Sequence, residues 1–146
     1  MTFSIVEVDK KAREVGFVIA SCNWDARRVC MAQAEVGAIA SQASGDQTLL
    51  RQYFEKLAEV ACPEVILEAF KNTDAAMANR QIGMIALDGH PVAFTGDGCM
   101  EWAGHRTGDG FGLSGEHPSL DQRLSTRWQR PLRAWTARCT RGYMQP

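Results

Sequence analysis

The residue best placed for chemistry is Thr2, which directly follows the initiator methionine. Methionine is normally removed before a small residue, and its removal would leave Thr2 with a free α-amine beside its hydroxyl. An α-amine has an ordinary pKa of about 7.7–8.0, so at neutral pH it can accept the hydroxyl proton and activate the oxygen as a nucleophile. Many proteins begin Met-Thr without using the threonine, so an ordinary N-terminus fits the same pattern.

A glycine-rich segment from Gly96 to His105 mixes glycines, a thiol, acidic groups and an imidazole. It is neither a P-loop nor a dinucleotide fingerprint, because no Gly-Lys-Ser/Thr follows and no GxGxxG opens a helix. Cys99 and His105 alone do not make a zinc site. We therefore expect no cofactor and no metal here, and either a substrate-binding loop or hairpin turns that use glycine at positive φ.

Ser41 and Gln42 end a run of small and β-branched residues, Val36 to Ala43, which is typical of a strand. Polar side chains at such a position can line a cleft, or they can be hydrogen-bonded core residues. With Thr2 and His105 they complete the set of candidate catalytic residues. The sequence does not decide whether the four side chains face one cleft.

Hydrophobic periodicity predicts the elements that position these groups. The predicted elements are strands over Thr2–Val8, Gly16–Ala20 and Val36–Ala43, helices over Gln47–Val60 and from Pro63 onward, and strands over Ile82–Leu87, Val92–Thr95, Met100–Ala103 and Phe111–Leu113. The segment Cys22–Glu35 is ambiguous. Strands grouped around two helices favour an α+β fold with antiparallel pairing.

The composition is that of a globular chain, with 146 residues, 45% hydrophobic and 23% charged. The longest apolar run, Val15 to Ala20, is too short for a membrane-spanning helix, so we expect no membrane partner. Residues 1–20 lack the basic-then-apolar pattern that is typical of a signal peptide, and five cysteines without a CxxC pair fit a reducing compartment. These features predict a cytoplasmic protein.

The charge is distributed unevenly along the chain. Residues 1–115 carry ten Lys or Arg against fifteen Asp or Glu, whereas residues 116–146 carry six Arg and two acidic residues. An acidic body lacks the clustered cations that non-specific nucleic-acid binding requires, so we expect no nucleic-acid partner.

Several segments together resemble a bacterial and archaeal domain-of-unknown-function family described as Ntn-hydrolase-like, that is, of the N-terminal-nucleophile type. The matching segments are Met1–Val6, Val36–Ala43, Ala93–Gly96 with Cys99, and Trp102–Gly108. The resemblance covers about residues 2–115. It implies an αββα fold, in which stacked antiparallel β-sheets have flanking helices. It also implies that Thr2 is a nucleophile that cleaves an amide, but it does not imply a substrate. On that basis we expect an amide hydrolase with groups near Gly96 as oxyanion donors and an unknown small-molecule or peptide-like substrate.

The chain departs from the family pattern in two places before its C-terminal tail. Trp24–Arg28 stands where relatives are small and apolar, and no lysine matches the one that supports the nucleophile in proteasome-like members. Both departures favour two alternatives to an enzyme. One is a non-catalytic ligand-binding or scaffold domain, and the other is a non-functional truncated fragment.

The tail, residues 116–146, is an Arg-rich stretch with no period, where relatives continue with a loop and an amphipathic helix. A frameshift would explain the lost periodicity, the absent lysines and the charge change together. The alternative is a genuine basic arm that binds an acidic partner. A truncated fold would leave one sheet face uncovered, so we expect exposed apolar surface and a homo-oligomer.

Overall fold

A computed structural model of the chain describes residues 1–60 and 62–116. In these residues four strands precede two helices and four strands follow them, as an α+β fold. The elements are β1 Thr2–Asp9, β2 Glu14–Ser21, β3 Cys30–Gln33, β4 Gly37–Ala43, α1 Gln47–Val60, α2 Pro63–Thr73, β5 Arg80–Ala86, β6 Val92–Thr95, β7 Ala103–Gly108 and β8 Phe111–Glu116. The α+β class is thereby confirmed, whereas the predictions for the tail beyond Glu116 lie outside the described residues.

The strands form two four-stranded antiparallel sheets. The first has the order β2-β1-β8-β7, and the second has the order β3-β4-β5-β6. The sheets pack face to face, and small residues at the interface let them approach closely. A Cβ added at Gly83 on β5 would lie 3.6 Å from Val6 Cγ2 on β1, within ordinary contact distance.

Two hydrophobic clusters join three layers, which are the first sheet, the second sheet and the two α-helices. The cluster between the sheets contains Val6, Val8, Ala38, Ile85 and Leu87. The cluster between the helices and the second sheet is larger and includes Leu50, Tyr53, Ile66, Phe70 and Ile82. The described residues therefore show helices on one sheet and a second sheet beneath it, and the other helical layer of the expected αββα order stays a prediction.

The outer face of the first sheet carries apolar side chains. Ile5 on β1 pairs with Val18 on β2 and with Leu113 on β8, and alternation turns all three away from the second sheet. Val18 is 43% exposed. In residues 1–60 and 62–116, α1 and α2 pack on the second sheet instead. The expected uncovered sheet face and self-association stay predictions.

The local predictions succeed where periodicity is strong and fail where it is weak. Helix α1 has the predicted bounds, and Asp46 caps it by accepting a 2.8 Å hydrogen bond from the Thr48 backbone N–H. The ambiguous segment contains the edge strand β3, whose last three residues are all exposed and therefore do not alternate. The strand predicted at Met100–Ala103 is wrong, because a turn occupies residues 101–102 and β7 begins only at Ala103.

Candidate functional site

One end of the space between the two sheets is lined by polar residues. In the first sheet, antiparallel pairing brings the start of β1 beside the ends of β2 and β8. In the second sheet, the start of β5 lies between the ends of β4 and β6. We call this region the polar end, and it consists of Thr2, Ser21, Gln42, Gln81, Thr95, His105 and Ser114.

Thr2 faces the second sheet from the first position of β1. Thr2 lies on the same face of β1 as Ser4 and Val6, because side chains two positions apart point the same way, and both of those residues are buried between the sheets. Its side-chain oxygen lies 2.9 Å from the Ser21 Oγ, so the two hydroxyls form a hydrogen bond across the β1–β2 pair. The nucleophile that the sequence predicts is therefore held by a second hydroxyl that the sequence analysis did not single out.

Two buried glutamines link Thr2 to the interior of the second sheet. Gln42 Nε2 donates to the Thr2 carbonyl oxygen at 3.1 Å and to Gln81 Oε1 at 2.9 Å. Gln42 and Gln81 are directly paired on β4 and β5, and they are 2% and 0% exposed. Gln42 Oε1 has no hydrogen-bond partner within the described part of the chain, nor does Ser114 Oγ.

Gln81 carries this connection onward to His105. The Gln81 Nε2 atom lies 3.1 Å from Thr95 Oγ1 and also reaches the carbonyl oxygens of Gly104 and Gly115 at 3.0 and 3.1 Å. Its two hydrogens are thus shared among three acceptors. Thr95 Oγ1 in turn lies 2.9 Å from His105 Nδ1. A continuous set of hydrogen bonds therefore joins Thr2 to His105.

His105 lies beside a cleft of about 490 Å³ that Thr95, Cys99, Met100 and Ala103 also line. Partial burial lowers the pKa of His105 because it removes water from the charged imidazolium. The neutral form is therefore favoured at neutral pH, and its Nδ1 can serve Thr95 as donor or acceptor. Gly96 shapes this cleft, since a Cβ there would clash with the carbonyl oxygens of Met77 and Ala78.

Cys99 lies in the same cleft but is a weak nucleophile. Its thiol donates to the Arg80 carbonyl oxygen at 3.5 Å. Burial raises the pKa of the Cys99 thiol, and the nearby carboxylates of Glu116 and Asp97 add to the rise. A raised pKa keeps the sulfur protonated at neutral pH. No three His, Cys, Asp or Glu side chains gather to hold a metal ion in residues 1–60 and 62–116.

Ser41 is the one candidate residue that the structure does not bring to the polar end. Neighbouring strand residues point to opposite faces, so Ser41 faces the helices while Gln42 faces the first sheet. Ser41 Oγ accepts a long 3.4 Å hydrogen bond from the Asp46 backbone N–H at the start of α1. The predicted set thus divides into Thr2, Gln42 and His105, which are linked, and Ser41, which lies on the other face of β4.

Four members of the polar end were not among the candidate residues, namely Ser21, Gln81, Thr95 and Ser114. Gln81 was missed because the predicted strand began at Ile82, whereas β5 begins at Arg80. The residues Arg80 and Gln81 look like a loop, but both are buried and hydrogen-bonded. The available signal was pairing, because an antiparallel register of β4 and β5 that places Gln42 opposite Gln81 would have indicated both residues.

The fold and this polar end define a class, an antiparallel double-sheet domain with one helical layer in its described residues and a hydrogen-bonded threonine on its first strand. Residues 2–121 match the family of unknown function named DUF1028, so the chain belongs to that family. The resemblance to a family of unknown function is thereby confirmed.

The chain is also similar to a solved structure from the same family. A crystal structure of a DUF1028 protein from Silicibacter pomeroyi is 25% identical with a TM-score of 0.77, and the match covers 85% of this chain and 58% of that chain. This chain therefore spans less than two thirds of that protein's length. No curated protein matches the chain.

None of the helices described in residues 1–60 and 62–116 has the length and apolarity needed to cross a membrane. Both α-helices are instead amphipathic and bury one face on the second sheet.

Proposed function

We propose that this chain is an amide hydrolase of the N-terminal-nucleophile type, with Thr2 as the nucleophile and an Ntn-hydrolase-like sandwich as its scaffold. One observation carries the proposal. Thr2 opens β1 with its hydroxyl turned into the polar end, 2.9 Å from the Ser21 hydroxyl, while Gln42 holds its carbonyl oxygen. Such fixed positioning of a reactive oxygen is what nucleophilic catalysis requires.

In the proposed reaction, removal of Met1 provides the general base. Thr2 Oγ1 attacks the carbonyl carbon of an amide, a C–O bond forms, and the hydroxyl proton passes to the free α-amine of Thr2. The C–N bond then breaks, and the protonated α-amine gives its proton to the departing amine. Water hydrolyses the resulting ester, which releases a carboxylic acid and restores the threonine hydroxyl.

The groups around Met1 indicate how a carbonyl oxygen would be received beside Thr2. Met1 is an acyl group on the Thr2 nitrogen, and its carbonyl oxygen accepts from the Cys22 backbone N–H and from Ser21 Oγ, each at 3.3 Å. The Cys22 thiol lies at the same distance. Once Met1 is removed, these donors are free to stabilise the oxyanion of a substrate acyl group. These donors lie on or next to Ser21, which pairs directly with Thr2, whereas the expected donors were groups around Gly96.

The cleft beside His105 supports a small-molecule or peptide-like substrate. Its volume of about 490 Å³ falls within the range of ordinary ligand sites. In this proposal the two parts of the site are Thr2 and the cleft beside His105. Hydrogen bonds through Gln42, Gln81 and Thr95 keep them at a fixed separation.

The test is covalent labelling of the purified full chain. Intact-mass spectrometry first measures removal of Met1. A β-lactone then acylates a nucleophilic threonine, and peptide sequencing locates the added mass on Thr2. We expect Thr2→Ala to reduce labelling by roughly a hundredfold or more, because the attacking oxygen is gone. Thr107→Ala is the matched control, since it removes an exposed threonine of β7 and should leave labelling unchanged.

Two results would overturn the proposal. One is a folded chain without Met1 that the β-lactone leaves unlabelled, which supports the non-catalytic ligand-binding alternative. The other is labelling that persists in Thr2→Ala, which places the nucleophile elsewhere.

A further inference from the structure

A second cleft, of about 430 Å³, lies at the edge where β2 and β3 meet the start of α1. Three arginines line it, namely Arg27 and Arg28 from a 3₁₀ helix and Arg51 from α1. It shares no lining residue with the cleft beside His105. We call it the arginine cleft.

The positive charge of the arginine cleft is largely uncompensated. Arg28 forms an ion pair with Asp25 at 2.9 Å. The Gln47 amide, oriented with its oxygen toward Arg28, accepts a 2.8 Å hydrogen bond from the Arg28 Nε. Arg27 and Arg51 form no ion pair with any residue of the described ranges 1–60 and 62–116. No aspartate or glutamate lines the cleft.

This clustering stands out because the surrounding domain is acidic. Residues 1–115 have only ten Lys or Arg against fifteen Asp or Glu, yet three of the ten meet at this one cleft. Like charges held close together raise the free energy of the protein unless an anion lies between them. The arrangement therefore favours a bound anion.

Apolar side chains form the rest of the cleft. Phe17 and Met31 are each 36% exposed, although large apolar residues of these types are usually buried. Leu50 is buried beside them and fixes the first turns of α1, from which Arg51 projects. A ligand that covered Phe17 and Met31 would remove apolar surface from water.

We propose that the arginine cleft binds a small organic anion whose oxyanion head contacts Arg27 and Arg51 and whose short apolar body packs on Phe17 and Met31. The planar guanidinium group suits both a carboxylate and a phosphate, since it can donate two parallel hydrogen bonds to either. The proposal does not depend on the chemistry of Thr2.

The first test compares four probes on the full chain at low salt by calorimetric titration and by NMR chemical-shift mapping. Hexanoate and hexyl phosphate carry both parts of the ligand and distinguish the two heads. Inorganic phosphate has the head alone, and hexanol has the body alone. We expect at least one of the two amphiphilic anions to bind with a Kd of roughly 1 mM or lower, and more tightly than either part-ligand. No binding of hexanoate or hexyl phosphate at about 10 mM overturns the proposal.

The second test locates the site by substitution. Arg27→Gln and Arg51→Gln should each weaken binding of the amphiphilic anion by roughly tenfold, because each removes a charge-assisted contact. Phe17→Ser should weaken hexanoate binding and leave inorganic phosphate binding unchanged. Arg106→Gln is the matched control, because Arg106 is an exposed arginine of β7, outside the cleft.

Arg27 and Arg51 are exposed, so the two arginine variants should keep the thermal unfolding midpoint of the parent chain. An equal loss of binding in Arg106→Gln would overturn the proposal, because it would indicate a general effect of net charge. Unchanged binding in the double variant Arg27→Gln, Arg51→Gln would overturn it as well. Thr2→Ala should keep full binding, which separates this result from the fate of the proposed hydrolase.

Discussion

The two ends of the space between the sheets differ in chemistry although the same strands build both. At one end Val6, Val8, Ile85 and Leu87 form an apolar cluster. At the other end β1, β4 and β5 contribute Thr2, Gln42 and Gln81, which are joined by hydrogen bonds. The apolar end stabilises the contact between the sheets by burying surface, whereas the polar end must satisfy its buried groups by hydrogen bonding.

The polar end is tolerated because most of its groups have partners. A buried amide without a hydrogen bond costs about 1–3 kcal/mol, and the Gln42–Gln81 pair avoids most of that cost by bonding to each other and to backbone carbonyls. The apolar end therefore contributes stability, and the proposed function places the chemistry at the polar end. Four changes test this assignment.

The largest effect is expected at the apolar end. Ile85→Ala removes a fully buried side chain from the cluster between the sheets, and we expect it to lower the free energy of unfolding by about 3–4 kcal/mol in urea titration. Val18→Ala is the control, since Val18 is largely outside the core and should cost less than about 1 kcal/mol. Similar losses in both variants would contradict the assignment.

A smaller loss is expected when the polar end is broken. Gln81→Leu removes the hydrogen bonds that the Gln81 side chain makes with Gln42, Thr95 and the carbonyls of Gly104 and Gly115, and we expect a cost of about 2 kcal/mol in urea titration. The double variant Gln42→Leu, Gln81→Leu should cost less than the sum of the two single changes, because both partners of one hydrogen bond are then apolar. Additive losses would show that the pair is not coupled.

A pH-dependent contribution to the free energy of unfolding is expected beside the polar end, on the face of β5 that packs against the helices. Hydrogen bonding from the Arg80 side chain lowers the pKa of Asp74, and the Thr48 side chain lowers the pKa of Asp46. Each carboxylate therefore stabilises the fold above the unfolded pKa of about 3.9, and this stability is lost as the pH falls through the lower folded values.

Urea titrations from pH 7 to pH 3 measure this term. We expect the parent chain to lose on the order of 1 kcal/mol through Asp74, and Asp74→Asn to show a flatter profile whatever its stability at pH 7. An equally steep profile in Asp74→Asn would assign the pH dependence to other groups.

The smallest effect is expected at the entrance of the polar end. Burial lowers the pKa of His105, so its NMR titration midpoint should lie below the midpoint of the same residue in the urea-unfolded chain. Thr95→Val should change the Nδ1 and Nε2 chemical shifts, because it removes the 2.9 Å contact with Thr95 Oγ1. A midpoint equal to the unfolded value would mean that His105 lies outside the polar end.

Local pattern predicted much of the fold but little of the site. Helix α1 and the turn between β5 and β6 were predicted from periodicity and from the Asp-Gly-His-Pro composition. Strand β3 was missed because its single buried residue, Cys30, produces no alternation. Gln81 was missed because polar residues at a strand start look like the end of a loop.

The sequence by itself determined the α+β class, the antiparallel arrangement of elements and the candidate nucleophile Thr2. Only the tertiary structure decided which residues Thr2 meets, because Ser21 and Gln42 come from strands that pair or stack with β1 after the chain has folded. Strand alternation decided the rest, since a shift of one position turns a side chain to the opposite face. That is why Gln42 reaches Thr2 while its neighbour Ser41 faces the helices.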